Sequence, residues 1–465
     1  MKRIFLFYIL IFFFSKTAFA DPLYLSLDEA LKIGLESNHD YKIAALKEKE
    51  SKERVSKVWS ELMPVVESEA SITRQYGESG FLSLSDGEDS IKFVQLKFGI
   101  NPGVFYNSLQ AAEKSYIISK EEVRRIRSEI SFVVIQSYFD LLLTEELIKL
   151  HRESAVLLGI NLKDVENMYK LGSVPKFELL QAQVQLLNHE PEIFSAESKN
   201  RVAIEHFNYV LGSEENKYAA RGDILEMDVK KVPLKNMDKK IDQLISLAIK
   251  SRPEVEQLRK KIEVATHLKE VYSSYYIWPS FFLGGYYGIS KPYPNEIDSS
   301  ITTPFGTMTP DLSSVTGKEE WQRNWQVRFS ASYRWGSLFS TDTVRSLERE
   351  ESIKINQAKE ELEKFKRAIA VSINSSYSKL IAAYLTIQSQ KENVKTAQEG
   401  LRIARESYKE GVIKNSDLLA AELSLTKART LYINALYSYY VALAELKRDS
   451  GVEDENIILG EVYED

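Results

Sequence analysis

The chain has 465 residues, of which 28% are charged, and a formal net charge of −6. That balance carries no basic footprint for nucleic acid. The absence of cysteine excludes disulfides, thiol catalysis, cysteine metal sites and a lipidated N-terminal cysteine.

Residues 1–20 read as a secretory signal. Lys2 and Arg3 precede an apolar run from Ile4 to Phe14, and Ala18-Phe19-Ala20 offers a small-x-small cleavage site. No other stretch approaches the roughly 18 apolar residues of a membrane helix. If the exported chain crosses a membrane, it must do so with strands.

Residues 27–63 follow an amphipathic helical pattern that Pro64 ends. Extended chain comes next. Val66, Ser68, Ala70 and Ile72 alternate with Glu67, Glu69, Ser71 and Thr73, and beyond a polar turn Val94, Leu96, Phe98 and Ile100 alternate with Phe93, Gln95, Lys97 and Gly99. From Phe105 through Leu109, Ala112, Tyr116, Val123, Ile126, Ile130 and Val133 the apolar residues keep heptad spacing. The segment 104–168 would make a helix of roughly 100 Å at 1.5 Å per residue. A turn, Gly172-Ser173-Val174-Pro175, leads into a return helix ending at Leu211, in which Pro191 predicts a kink or local break.

The second half repeats the first. YKLGSVPKFELLQAQVQL at 169–186 and YKEGVIKNSDLLAAELSL at 408–425 share seven identical positions without a gap, 239 residues apart. The same offset relates Ser137-Tyr138 to Ser376-Tyr377, and an earlier offset of 214 relates Asp28 and Ser37 to Asp242 and Ser251. The expected first repeat, 21–240, holds a helix at 27–63, a β-hairpin at 65–100, a helical hairpin at 104–211 and a polar linker at 212–240. The second, 241–450, holds a helix at 241–278, a β-hairpin at 280–335 and a helical hairpin at 341–449, followed by an acidic tail at 451–465.

In the second hairpin, Phe281, Leu283, Gly285, Tyr287 and Ile289 alternate with Ser280, Phe282, Gly284, Tyr286 and Gly288. Trp325, Val327, Phe329, Ala331, Tyr333 and Trp335 form an apolar face opposite Asn324, Gln326, Arg328, Ser330, Ser332 and Arg334. Between them, residues 291–320 carry Pro292, Pro294, Pro304 and Pro310 and read as a long external loop. Period-two strands of roughly ten residues with aromatic ends are the pattern of a transmembrane barrel. Four strands cannot close one, since about eight is the smallest usual number, so the chain is expected to oligomerise. The fold class is mainly α with transmembrane β: a tandem repeat of long coiled-coil helices plus four strands.

Gly172 and Gly411 suit the left-handed position that ends a helix. Glu178 and Asp417 fall in the first turn of the next helix, where negative charge suits the dipole. His39, His151, His189, His206 and His267 show no paired ligand spacing, so they are expected to be solvated, with no metal or cofactor site. No phosphate loop, GxSxG or dinucleotide fingerprint occurs, which leaves an enzyme without residues to carry it.

With LSLDEALKIGLESN near the N-terminus, SYFDLLLTEELIKL and the two turn segments, in this order around two alternating hairpins, the mature chain resembles the TolC family of outer-membrane efflux proteins. The resemblance implies a homotrimer, with a twelve-strand β-barrel in the outer-membrane lipid that continues as a long α-barrel across the periplasm. It implies docking with a periplasmic adaptor and an inner-membrane pump. It places both repeat turns at a periplasmic tip that closes the pore, with Asp417, Glu178 and Tyr408 as tip residues. The adaptor would dock on Gly172, Ser173, Val174 and Pro175 and on Gly411, Val412, Ile413 and Lys414. Two departures concern the closed-state latch: Ala420 stands where relatives can carry a second tip acid, and Ile413 where they can carry a latching arginine. A dedicated protein-secretion duct has the same architecture. A soluble periplasmic coiled-coil scaffold is the reading of a different class.

Overall fold

The structure is a computed structural model that describes residues 22–74, 87–293, 301–303, 306–308, 320–335 and 342–460. The expected signal, much of the loop expected at 291–320 and the last residues of the tail lie outside the described residues. In chain order the first half forms β1 (Leu23–Leu25), α1 (Leu27–Ser37), α2 (His39–Ser60), β2 (Val65–Arg74), β3 (Gly87–Ile100), α3 (Pro102–Lys170) and α4 (Lys176–Val210). The second forms β4 (Tyr218–Ala220), α5 (Met237–Ser251), α6 (Pro253–Ile277), β5 (Ser280–Tyr293), β6 (Ile301–Thr303), β7 (Gly306–Met308), β8 (Gln322–Ser332), α7 (Thr343–Lys409), α8 (Asn415–Ser450) and α9 (Glu455–Leu459).

Three local expectations need correction. The helix expected at 27–63 is two helices that break at Asn38, whose Oδ1 accepts the amide of Asp40 at 2.8 Å and so caps α2. The helix expected at 241–278 breaks at Arg252, held extended before Pro253. Asn38 and Arg252 are 214 residues apart, so the break itself is repeated. Pro191, by contrast, lies inside an unbroken α4. The local break that Pro191 could have marked does not occur, and the 35-residue helix carries the cost of about 3 kcal/mol that an interior proline brings.

The chain divides into two compact units, to each of which both halves contribute. One comprises 45–123 and 253–366 and contains the sheet β2-β3-β5-β8, antiparallel throughout. Its register aligns Val66, Leu96, Gly285 and Val327 across one face and Glu67, Gln95, Tyr286 and Gln326 across the other. The second face carries the pairs Lys97–Glu67 and Lys92–Glu69 (3.1 Å) and a Ser71–Ser90 hydroxyl contact at 2.8 Å. The first face is apolar and open: Trp325, Val327 and Phe329 are 74%, 67% and 69% exposed. The alternation expected along β3 is interrupted at Phe93, a bulge residue with no partner across the ladder to β5, whose carbonyl accepts the Ser68 hydroxyl at 2.7 Å. The bulge resets the period, so that Ile91 continues the face of Val94 and Leu96. Among the described residues no helix is long and apolar enough to cross a membrane.

The other unit comprises 1–44, 124–252 and 367–465. Its core is built from α3, α4, α7 and α8, with Tyr138, Leu141, Phe207, Leu211, Tyr377, Leu380, Tyr439 and Leu446 fully buried. The tyrosine hydroxyls each need a partner, and they find one in the segment expected as a polar linker. Tyr138 donates to the Arg221 carbonyl at 2.5 Å, Tyr377 to Pro233 at 3.2 Å and Tyr439 to Lys230 at 2.9 Å. The same segment supplies β4, which pairs in parallel with β1. The tail is docked as well: the buried Lys240 donates to the carbonyls of Ile457 (2.7 Å) and Gly460 (2.8 Å), and Glu455 pairs with Lys230 and Lys447.

Candidate functional site

Both hairpin turns are built in the same way. After α3, Gly172 takes φ +71°, its amide donates to the Tyr169 carbonyl at 2.9 Å, and the Ser173 amide reaches Met168 at 2.9 Å. After α7, Gly411 takes φ +72°, its amide donates to Tyr408 at 3.0 Å, and the Val412 amide reaches Ser407 at 2.9 Å. This pair of bonds is the Schellman cap, and its left-handed residue carries almost no strain only as glycine. Pro175 and Lys414, both extended, then start α4 and α8.

The two turns lie side by side. The Tyr408 hydroxyl donates to the sulfur of Met168 at 3.6 Å, and the Tyr408 ring packs on Leu401, Leu418 and Leu425. Burial, with the charges of Glu178 and Asp164 behind it, raises the phenol above its ordinary range. Glu178 is thus near enough for its charge to act on the Tyr408 phenol. Asp417 is exposed, and its Oδ2 accepts the Lys414 amide at 3.3 Å, so it caps the first turn of α8 as well as displaying charge. Of the turn residues, Gly172, Ser173, Pro175, Gly411, Val412 and Lys414 are exposed, while Val174 and Ile413 are half-buried.

Beneath the turns lie polar groups that sequence reasoning missed. Asn161 Nδ2 donates to Asn415 Oδ1 at 2.7 Å, with both side chains buried. Asn161 Oδ1 and Asn415 Nδ2 have no partner. Glu422 is buried, with Arg405 at 3.4 Å from its Oε1 and nothing on Oε2. Burial raises its carboxyl above the ordinary value, against the lowering effect of Arg405. A signal was present: Glu422 stands between Leu418 and Leu425 on the apolar stripe of α8, and Asn161 between Leu158 and Val165 on that of α3.

The histidine expectation fails in part. His39 and His206 are exposed, but His189 is 4% exposed and His151 half-buried, with ring centroids 5.3 Å apart. His189 Nε2 lies 2.9 Å from the His151 carbonyl, and Glu192 Oε2 lies 3.1 Å from His189 Nδ1 and 3.5 Å from His151 Nδ1. Burial, helped by His189 and Lys199 and opposed by Glu192, holds the His151 imidazole below its ordinary range.

The family profile described as outer membrane efflux protein matches residues 244–452. Solved structures share the fold at low identity. The outer-membrane channel OprN superposes with a TM-score of 0.73 at 15% identity, covering 91% of this chain and 89% of its own. The CmeC outer membrane channel of Campylobacter jejuni gives 0.73 at 15% identity, covering 91% and 85%. The transmembrane channel CusC gives 0.72 at 18% identity, covering 93% and 94%. No curated protein matches the chain. The family resemblance read from the sequence, and the outer-membrane location that accompanies it, are borne out. The structural neighbours are channels rather than enzymes.

Proposed function

We propose that the chain is one protomer of a trimeric outer-membrane channel, the passive exit duct of a tripartite efflux or secretion system, gated where its two repeat turns meet. The observation that carries this reading is the open sheet β2-β3-β5-β8, apolar on one face and polar on the other. Among the described residues, β2 and β8 are the outer strands, each with no further strand beyond it. Each backbone group left unpaired at such an edge costs several kcal/mol in lipid, and a protein's whole stability is about 5–15 kcal/mol. Pairing β8 of one copy with β2 of the next removes both edges, and three copies give twelve strands. A second uncovered surface agrees: Phe177, Leu180, Val184 and Leu187 at three–four spacing, with Phe194 a heptad further on, form an exposed stripe along α4, which the helices of a neighbouring copy would cover.

In such a trimer the Asp417 side chains form an acidic constriction, supported by Glu178 and Tyr408. The exposed turn residues then offer the surface for a periplasmic adaptor and, through it, an inner-membrane pump. The test exploits the absence of native cysteine. Single cysteines placed on β2 and on β8 should give disulfide-linked, heat-modifiable trimers in mild detergent, with adaptor and pump recovered after cross-linking in cells. A monodisperse monomer that bypasses both cross-links would sink the proposal and favour a soluble scaffold.

A further inference from the structure

His151 on α3 meets His189 and Glu192 on α4, away from both turns in sequence and independent of the duct reading. A backbone carbonyl can only accept, so the 2.9 Å contact between His189 Nε2 and the His151 carbonyl puts the proton on Nε2. In the neutral ring, Nδ1 is then a lone pair, and it points at Glu192 Oε2 from 3.1 Å. His151 Nδ1 is a buried atom with no hydrogen-bond partner, 3.5 Å from the same oxygen. With the His151 proton on Nε2, three electron-pair donors face one another, all within 4.8 Å. A proton added to His189 Nδ1, with His151 in its Nδ1–H tautomer, would pair both nitrogens with the one oxygen at the cost of a buried imidazolium, whereas one cation joins all three atoms with both imidazoles neutral.

We propose that His151, His189 and Glu192 bind one divalent transition-metal ion of zinc's ligand preference per chain. Two imidazoles and a carboxylate are a donor set of that kind. Bonds of about 2.0–2.1 Å around a tetrahedral centre place ligand atoms roughly 3.4 Å apart, close to the 3.1 Å and 3.5 Å here. Donation of the far N–H to a main-chain carbonyl is how metal-binding imidazoles are held in the right tautomer, and His189 already has that contact. A groove of about 620 Å³, whose lining includes Ser195, Leu423 and Thr426, adjoins the cluster and gives a fourth ligand room to enter. Lys199 and Lys427 line the same groove, so affinity should be modest. The ion would tie α4 to α3 beside Pro191.

The test uses the full-length protein in detergent, without a polyhistidine tag, stripped by chelator and titrated with Co²⁺. The expected result is a saturable visible band of tetrahedral Co²⁺ at one ion per chain, displaced by Zn²⁺. Glu192→Gln changes a largely exposed side chain and should weaken binding about tenfold or more; His151→Gln should abolish the band. His39→Gln, an exposed histidine elsewhere, should change nothing. Circular dichroism without metal checks that the variants fold. The absence of a saturable band, or a band that either ligand variant keeps at wild-type affinity, overturns the site.

Discussion

Asn161 donates through Nδ2 to Oδ1 of Asn415 at 2.7 Å, joining the long helix of the first repeat to the return helix of the second beneath the paired turns. Both amides are buried, and each keeps one atom unpartnered. Removing one amide leaves the other buried and alone, which costs about 1–3 kcal/mol. Asn161→Leu and Asn415→Leu should each lower the thermal midpoint of the detergent-solubilised protein. The double variant should lose less than the sum, because both polar groups leave together. Strict additivity of the midpoint shifts would show that the two amides are not coupled.

The sheet register separates two positions three residues apart on β8. Val327 lies opposite Gly285 on the apolar face, and Ser330 lies opposite Phe282 on the other. Val327→Arg should cost roughly 2–4 kcal/mol if it meets lipid near the midplane and should reduce trimer yield. Ser330→Arg should leave assembly intact and change ion selectivity. Equal yields from the two variants would reject this assignment of faces.

Glu422 makes the region below the turns sensitive to pH. Burial raises its folded pKa above the ordinary 4.5, against Arg405. The folded state therefore holds more protons than the unfolded one between 4.5 and the folded value, and stability falls as pH rises through that window. Glu422→Gln should raise the midpoint at neutral pH and flatten its decline above pH 4.5. An unchanged pH slope would mean that Arg405 compensates the buried charge fully.

Where the two halves spell a feature twice, the fold was legible. Gly172 and Gly411 announced equivalent caps, and the structure gives them φ of +71° and +72°. Tyr138 and Tyr377 were legible as equivalents but not as anchors, because their acceptors, Arg221 and Pro233, lie in a segment without repeat or period. The break at Arg252 is written in Pro253, whereas that at Asn38 rests on a side-chain cap that sequence periodicity passes over. The bulge at Phe93 leaves no mark in an alternation read strand by strand, since it exists only relative to the neighbouring strand. His151 and His189 are 38 residues apart on the two arms of a hairpin, so their meeting depends on helix register and on no local spacing.

Asp417 is the residue on which the proposed gate turns, and the structure gives it two separable roles. Its carboxylate caps α8 by accepting the Lys414 amide at 3.3 Å, and its exposed charge faces solvent. Around a threefold axis, like charges about 6 Å apart repel by roughly 0.7 kcal/mol per pair in water and about 3 kcal/mol at an effective dielectric of 20. Such a ring would take up cations, and divalent ions added from the periplasmic side should block single-channel current. Ala420 supplies no second acid one turn on, so the block should depend mainly on this ring. Asp417→Asn keeps an acceptor for the Lys414 amide and removes the charge; Asp417→Ala removes both, at a further cost of about 1 kcal/mol in capping. Both variants should lose divalent block in planar bilayers, and the alanine variant alone should lower thermal stability. If block survives in both with wild-type affinity, Asp417 serves only as a helix cap and the constriction is formed by other residues.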